Sequence, residues 1–265
     1  MSSFPEITPD PATAIGRADG TSLSRRALLS RALIVAAGAF ATLAFVVVAA
    51  KPVRARATLL SGQPRGGAAV TNTAAITSGT ITTDDIGAAE TEAGNIVADA
   101  VRAAAGADIA FVPASAFRAN VSLARPVTGE QAAALIEPAD ETVVVMALQG
   151  DKIRGALERA VALRPQASGQ FLQVSNLRFV YNEAKPAGKR VGAVTANGAP
   201  LDSARTYRVA MTRALANGQQ GYFRIWEPRD AQDTGKILAQ ALRDLSAARG
   251  GALSAPPEGR ISPVR

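Results

Sequence analysis

The sequence predicts an α+β fold: a layered α/β sandwich with a mixed sheet, preceded by an N-terminal hydrophobic helix. Three observations carry that expectation. Helix-like and strand-like segments follow one another without strict βαβ alternation. A nineteen-residue uncharged run, Ala32 to Ala50, stands near the start of the 265-residue chain. The chain also has no cysteine, and about 200 residues can bury a sufficient core without disulfides.

The uncharged run comes first. As a helix it spans about 28 Å, close to the hydrocarbon thickness of a bilayer. Ahead of it Ser24-Arg25-Arg26-Ala27-Leu28-Leu29 resembles the twin-arginine export pattern. Behind it Ala55-Arg56-Ala57 has the small-x-small spacing of a signal-peptidase site. Residues 1–57 are therefore expected to direct export. The length of the run favours a retained membrane anchor and the Ala-Arg-Ala site favours cleavage, so both outcomes stay open. Localisation is expected to be the periplasmic or extracellular face. Residues 58–80, rich in Gly, Ser, Thr and Ala, read as a flexible spacer.

The folded part is expected over 81–249. Ile96, Val97, Ala100, Val101 and Ala104 recur at helical spacing from Thr91 to Ala105, and Gly106 supplies the stop. Asp108 to Val112 suits a buried strand. Thr128-Gly129-Glu130-Gln131 has the shape of a capping box opening a short helix toward Ile136. A β-branched strand runs from Thr142 to Leu148, and a helix from Asp151 to Leu163 follows it. Leu177–Tyr181, Arg190–Thr195 and Thr206–Thr212 read as strands, with a turn at Asn197-Gly198. A last helix is expected from Thr234 to Ala247, and an irregular tail over 250–265.

Composition excludes much chemistry. With neither cysteine nor histidine among 265 residues, thiol nucleophiles, Ser-His-Asp triads and HExxH zinc sites are all ruled out. The net charge of +7 invites a nucleic-acid reading, but residues 1–57 hold seven basic and three acidic side chains. What remains is nearly balanced, without a basic stripe, and nucleic acid is not an expected partner. Neither Gly188-Lys189 nor Gly235-Lys236 sits in a phosphate loop. Asp84, Asp85, Glu90 and Glu92 could gather a hard cation, or be a solvated loop with favourable charge at a helix start. Arg118 stands where an α/β architecture places an anion-binding group, or in a surface ion pair. Gly218-Gln219-Gln220-Gly221-Tyr222 brackets an aromatic that could serve as a stacking platform, or be a half-buried tyrosine.

A resemblance joins these pieces. Glu90-Thr91-Glu92-Ala93-Gly94-Asn95-Ile96-Val97-Ala98-Asp99-Ala100, followed by Gly106-Ala107-Asp108-Ile109-Ala110, resembles the opening of the 5′-nucleotidase C-terminal domain. Phe171 to Arg178, Val191 to Pro200, Thr206 to Ala210 and Leu215 to Tyr222 match it in the same order. The likeness spans roughly residues 80–245. In that family a separate dinuclear metallophosphatase domain hydrolyses the nucleotide, and the C-terminal domain clamps its base between two aromatic rings. The metal ligands of the hydrolytic domain are largely histidines, so the resemblance implies no catalytic residue, metal or cofactor in this chain. Its implied ligand-binding residues are Arg118, Tyr222, Asn217 and Gln220. Where the family has an Asn-Gly-Gly-Gly-Ile-Arg loop, this chain has Pro113-Ala114-Ser115-Ala116-Phe117-Arg118. One stacking ring is replaced by Pro138, and the acidic residue of the glycine-bracketed loop is absent. Stacking contributes about 1–3 kcal/mol per base, so a weak nucleotide or nucleoside binder at most is expected. Two other roles remain: substrate recognition for a separate metallophosphatase, or a cell-envelope interaction module without a nucleotide ligand.

Overall fold

The computed structural model describes residues 79–264; the twin-arginine-like segment, the 32–50 run and most of the 58–80 spacer lie outside them. Strands are β1 (Thr80–Thr82), β2 (Ile109–Pro113), β3 (Ser122–Ala124), β4 (Thr142–Gln149), β5 (Leu172–Ser175), β6 (Leu177–Tyr181), β7 (Val191–Ala196), β8 (Ala199–Pro200), β9 (Thr206–Thr212), β10 (Gln232–Ile237) and β11 (Ile261–Pro263). Helices are α1 (Glu92–Ala105), α2 (Gly129–Ala132), α3 (Gly150–Ala160), α4 (Arg213–Ala216) and α5 (Leu238–Ala248).

The central sheet has the order β10-β4-β9-β2-β5, and a second sheet runs β11-β6-β7-β8. Both are mixed. In the first, β2 and β9 are parallel while β4 is antiparallel to β9. In the second, β11 runs parallel to β6 and β7 antiparallel to it.

Alternation along the central strands feeds two cores. Ala110, Val112, Val143 and Ala210 face α1 and α5, meeting Ile96, Val97, Leu238 and Leu242. Ile109, Phe111, Val144, Met146, Val209 and Met211 face the other way, toward Ile153 and Leu157 of α3 and Phe179 and Tyr181 of the second sheet. A sheet covered on both faces gives the layered α+β sandwich expected.

Local signals placed most elements. The Thr91 hydroxyl accepts from Gly94 N at 3.0 Å to start α1, and Gly106 ends it at φ 54°. Thr128 and Gln131 close a capping box, and β9 covers Thr206–Thr212 as expected. Asn197 and Gly198 take φ of 54° and 76°, the double left-handed geometry of a tight hairpin turn.

Four expectations change. Residues 232–237 are strand, not the first turns of the last helix. Thr234-Gly235 is a poor helix start, and the segment instead pairs with the free edge of β4 across a bulge. The helix after β4 closes at Ala160, short of Leu163. The spacer ends before Thr80, which opens β1.

The tail is ordered by the carboxylates assigned to a cation or a solvated loop. Glu90 accepts from the backbone N–H groups of Glu258 at 2.9 Å and Arg260 at 2.7 Å. Glu92 accepts from Ser254 Oγ and Ala255 N and pairs with Arg125. Asn95 donates to the carbonyls of Ala255 and Pro256. Beneath them Asp99 takes Arg260 at 2.7 Å, Arg249 at 3.2 Å and the Ser175 hydroxyl at 2.6 Å. Burial pushes the Asp99 carboxyl up, but these donors, led by Arg260, outweigh it and hold it below the usual carboxylate range.

Candidate functional site

Three loops carry the residues that the sequence nominates; the first two are hydrogen-bonded to one another, and Gln220 of the third reaches the first. The first leaves β2 at Pro113. Its backbone is stitched on one side to the loop before β5, with Ala114 N–H donating to Phe171 O and Ser115 N–H to Gly169 O. On the other side Arg118 N–H donates to Leu135 O and Glu137 N–H to Ala116 O, which draws in the second loop, Glu137 to Asp140. Phe117 is 8% exposed and belongs to the core, while Arg118 points out. Its guanidinium meets Glu137 at 3.4 Å with both side chains more than half exposed, the surface ion pair left open by the sequence. Pro138 is exposed and offers no ring face.

The third loop follows α4, whose first turn is capped by the Thr212 hydroxyl and by Glu141, each accepting a backbone N–H. Asn217 closes α4 on the surface. The chain then turns through Gly218, Gln220 and Gly221 at φ of 86°, 59° and 83°. At φ 83° Gly221 holds a backbone conformation that L side chains rarely adopt, and the Arg159 guanidinium fills the space beside its Cα. Arg159 uses that space, donating from Nε and Nη2 to Gln220 O at 3.0 and 2.6 Å.

Tyr222 requires a correction. It is fully buried, its ring stacked on Trp226 at 5.1 Å between centroids and 18° between planes. Its hydroxyl donates to Gln170 O at 2.8 Å. Burial pushes the phenol well above its ordinary pKa. The two left-handed residues before it turn the chain inward, so the ring fills the core between α3 and the central sheet. It presents no platform.

Arg118, Asn217 and Gln220 remain at or near the surface. Gln220 reaches the first loop: a Cβ built on Gly169 would lie 3.3 Å from Gln220 Nε2 and 3.2 Å from Ser115 Cβ. The two side chains thus flank one glycine. Ser115 Oγ is buried with no hydrogen-bond partner among the described residues. Beside this junction opens a cleft of about 570 Å³, bordered by Asp84, Asp85, Phe117, Asn120 and Ser168. Ser115 and Gly169 were missed from the sequence, because a serine in place of a glycine carries no signal until its neighbours are known. Among the described residues no group of three or more acidic side chains is gathered as a metal site. No described helix is long and apolar enough to cross a membrane.

Comparison with known proteins fits this geometry. The family model described as 5′-nucleotidase, C-terminal domain, matches residues 66–226. The trifunctional nucleotide phosphoesterase protein YfkN of Bacillus subtilis is 29% identical over 184 residues, covering 66% of this chain and 12% of that protein. Protein UshA of Salmonella pullorum is 28% identical over 156 residues, 59% of this chain and 27% of its own length. The chain therefore spans about a quarter or less of these curated relatives. Among solved structures, a 5′-nucleotidase precursor from Thermus thermophilus superposes with a TM-score of 0.63 at 30% identity, over 72% of this chain and 39% of that one.

Proposed function

This chain belongs to the 5′-nucleotidase C-terminal domain family, and from that premise we propose that it recognises nucleotides or nucleosides, weakly, without hydrolysing them by its own residues. The observation that carries this reading is the junction of Ser115, Gly169 and Gln220. Ser115 Oγ there lacks a partner among the described residues, beside a cleft, on the loops that bear Arg118 and Asn217. Arg118 supplies an exposed cation on the first loop, already shared with Glu137. Gln220 and Asn217 supply amide donors and acceptors for base or ribose. The 81–249 segment is the recognition module in this reading, with residues 1–57 directing export.

Binding without a ring on either side of the base is weak, near the millimolar range if two contacts of about 1.5–2 kcal/mol each are missing from a micromolar site. Titrating the full chain calorimetrically with AMP and adenosine tests the reading. Dissociation constants near millimolar support it, and silence at saturating ligand overturns it. Export is tested separately: Arg25→Lys with Arg26→Lys should hold the protein in the cytoplasmic fraction.

A second reading starts from the same family membership and from the lack of histidine among the 265 residues. The module would present substrate to a separate metallophosphatase polypeptide. Co-purification of a phosphatase whose turnover of AMP rises in its presence supports this, and purification alone speaks against it.

A further inference from the structure

The central sheet is closed along only part of one edge. β10 covers β4 from Thr142, opposite Ile237, to Val145, opposite Gln232, and there the pairing ends. β4 itself continues to Gln149, still paired one-to-one with β9 on its other side. The phase of the hydrogen bonds tells which backbone groups the uncovered part presents. Gly150 N–H donates to Arg205 O, and the unbroken register carries that phase back through Leu148 and Met146. Even-numbered residues therefore bond to β9, and odd-numbered ones point away from it. Val143 agrees, since its carbonyl accepts from Thr234 Oγ1 of β10 at 2.7 Å. Past Val145 the outward groups are Ala147 N–H, Ala147 C=O and Gln149 N–H, because the Gln149 carbonyl opens α3. No loop backbone bonds any of the three among the described residues.

Ala147 and Gln149 are exposed, and this stretch of edge opens into a cleft of about 370 Å³. Ile225 and Trp226 line it as well, packed with Leu148 on the α3 side of the sheet. The course of the chain distributes charge along the slot. Glu227 and Asp230 belong to the turn that delivers the chain to Gln232, so they stand at the Val145 end. Lys152 sits in the first turn of α3, just beyond Gln149, at the other end. All three are exposed, and none enters an ion pair among the described residues. Arg224 lies over the Phe223 ring, 5.6 Å from its centroid, so the polarity of the slot rests on the other three.

We propose that this slot binds an extended peptide segment of a partner protein, added to β4 as a strand in line with β10. Outward N–H and C=O groups on a strand edge are met in full by another extended backbone. Run antiparallel, as β10 does, the peptide places its N-terminal end beside Lys152 and its C-terminal end beside Glu227 and Asp230. Charge complementarity then calls for an acidic residue first and a basic residue last. Between them, the residue opposite Leu148 falls on the same face, against Ile225 and Trp226, and suits valine or isoleucine. The recognised pattern is thus acidic, apolar and basic at alternate positions of one strand. The proposal goes beyond the nucleotide reading and does not rest on it, since neither Arg118 nor Gln220 lines the slot.

Trp226, the single tryptophan of the chain, lines this cleft and reports on it directly. The experiment titrates the full-length protein with the peptide acetyl-Glu-Thr-Val-Thr-Lys-amide and follows Trp226 emission alongside amide hydrogen exchange. Expected are a saturable emission change and slowed exchange at Ala147 and Gln149. N-methylation of the second threonine, whose N–H would donate to Ala147 C=O, should weaken binding about fivefold or more. Lys152→Glu should weaken this probe about threefold, and a probe with lysine in first place should recover it. Binding that leaves exchange at Ala147 and Gln149 unchanged would overturn strand addition in favour of side-chain contact alone. Protection of both amides in the peptide-free protein, rising with protein concentration, would overturn it in favour of a second copy of this chain. Neither emission change nor protection at millimolar peptide would overturn it outright. None of these outcomes bears on the calorimetric titration with AMP, so the two readings fail separately.

Discussion

Two regions of the domain treat their polar residues differently. In α1 and just before it, the side chains of Glu90, Glu92, Asn95 and Asp99 are each tied to the segment from Ser254 to Arg260, although Asn95 Oδ1 itself is buried without a partner among the described residues. On the loops, among the described residues, Ser115 Oγ lacks a partner, the Arg118 side chain pairs with an exposed glutamate, and Phe223 stands in solvent. Family-like residues therefore do two kinds of work. On α1 they bind the chain to itself, and resemblance there speaks of folding. On the loops few such ties form, and resemblance there speaks least about the ligand.

Breaking the clasp should have the largest effect. Asp99→Ala leaves the buried Arg260 with only the half-exposed Glu258 as a carboxylate partner and should cost about 3–5 kcal/mol in urea unfolding; a loss under about 1 kcal/mol would erase the contrast. The same pair gives stability a pH signature. A carboxyl held below its ordinary value contributes fully above the unfolded pKa near 3.9, and loses that contribution as pH falls through its lower folded value. The stability gap between the natural protein and Asp99→Asn should therefore narrow below about pH 4. Next comes Gly94→Ala. A Cβ there would sit 2.2 Å from Gln173 Oε1, whose amide is committed to the carbonyls of Ile86 and Ala89. The crowding should cost about 1–3 kcal/mol. Tyr222→Phe, which strips the donor from Gln170 O, should cost about 0.5–1.5 kcal/mol by the same measurement. Arg118→Ala, on the loops, should change stability by less than about 1 kcal/mol. An equal effect at Arg118 and Asp99 would show that the two regions are not distinct.

The fold was legible where local chemistry decides it. Caps at Thr91 and Thr128, the stop at Gly106 and the Asn197-Gly198 turn each specify geometry within a few residues. What stayed hidden depends on distant partners. Gln232–Ile237 becomes a strand because β4 offers an edge, and Ile261–Pro263 becomes one because β6 does. The site was less legible for the same reason. A glycine-bracketed aromatic says that a ring follows a sharp turn, not which of two consecutive rings, Tyr222 or Phe223, faces the core. That choice is made by Gln170 and Arg159, about fifty to sixty residues earlier in the chain.

The clasp also imposes an order of events on the newborn chain. Glu90 and the Arg260 N–H it binds are 170 residues apart. Helix α1, made early, must wait with its carboxylates and Asn95 in water until almost the whole domain has been synthesised. Closure over so long a loop is entropically slow. During translation, then, the domain remains an unfinished body with one face open, and it locks only when residues 254–263 arrive.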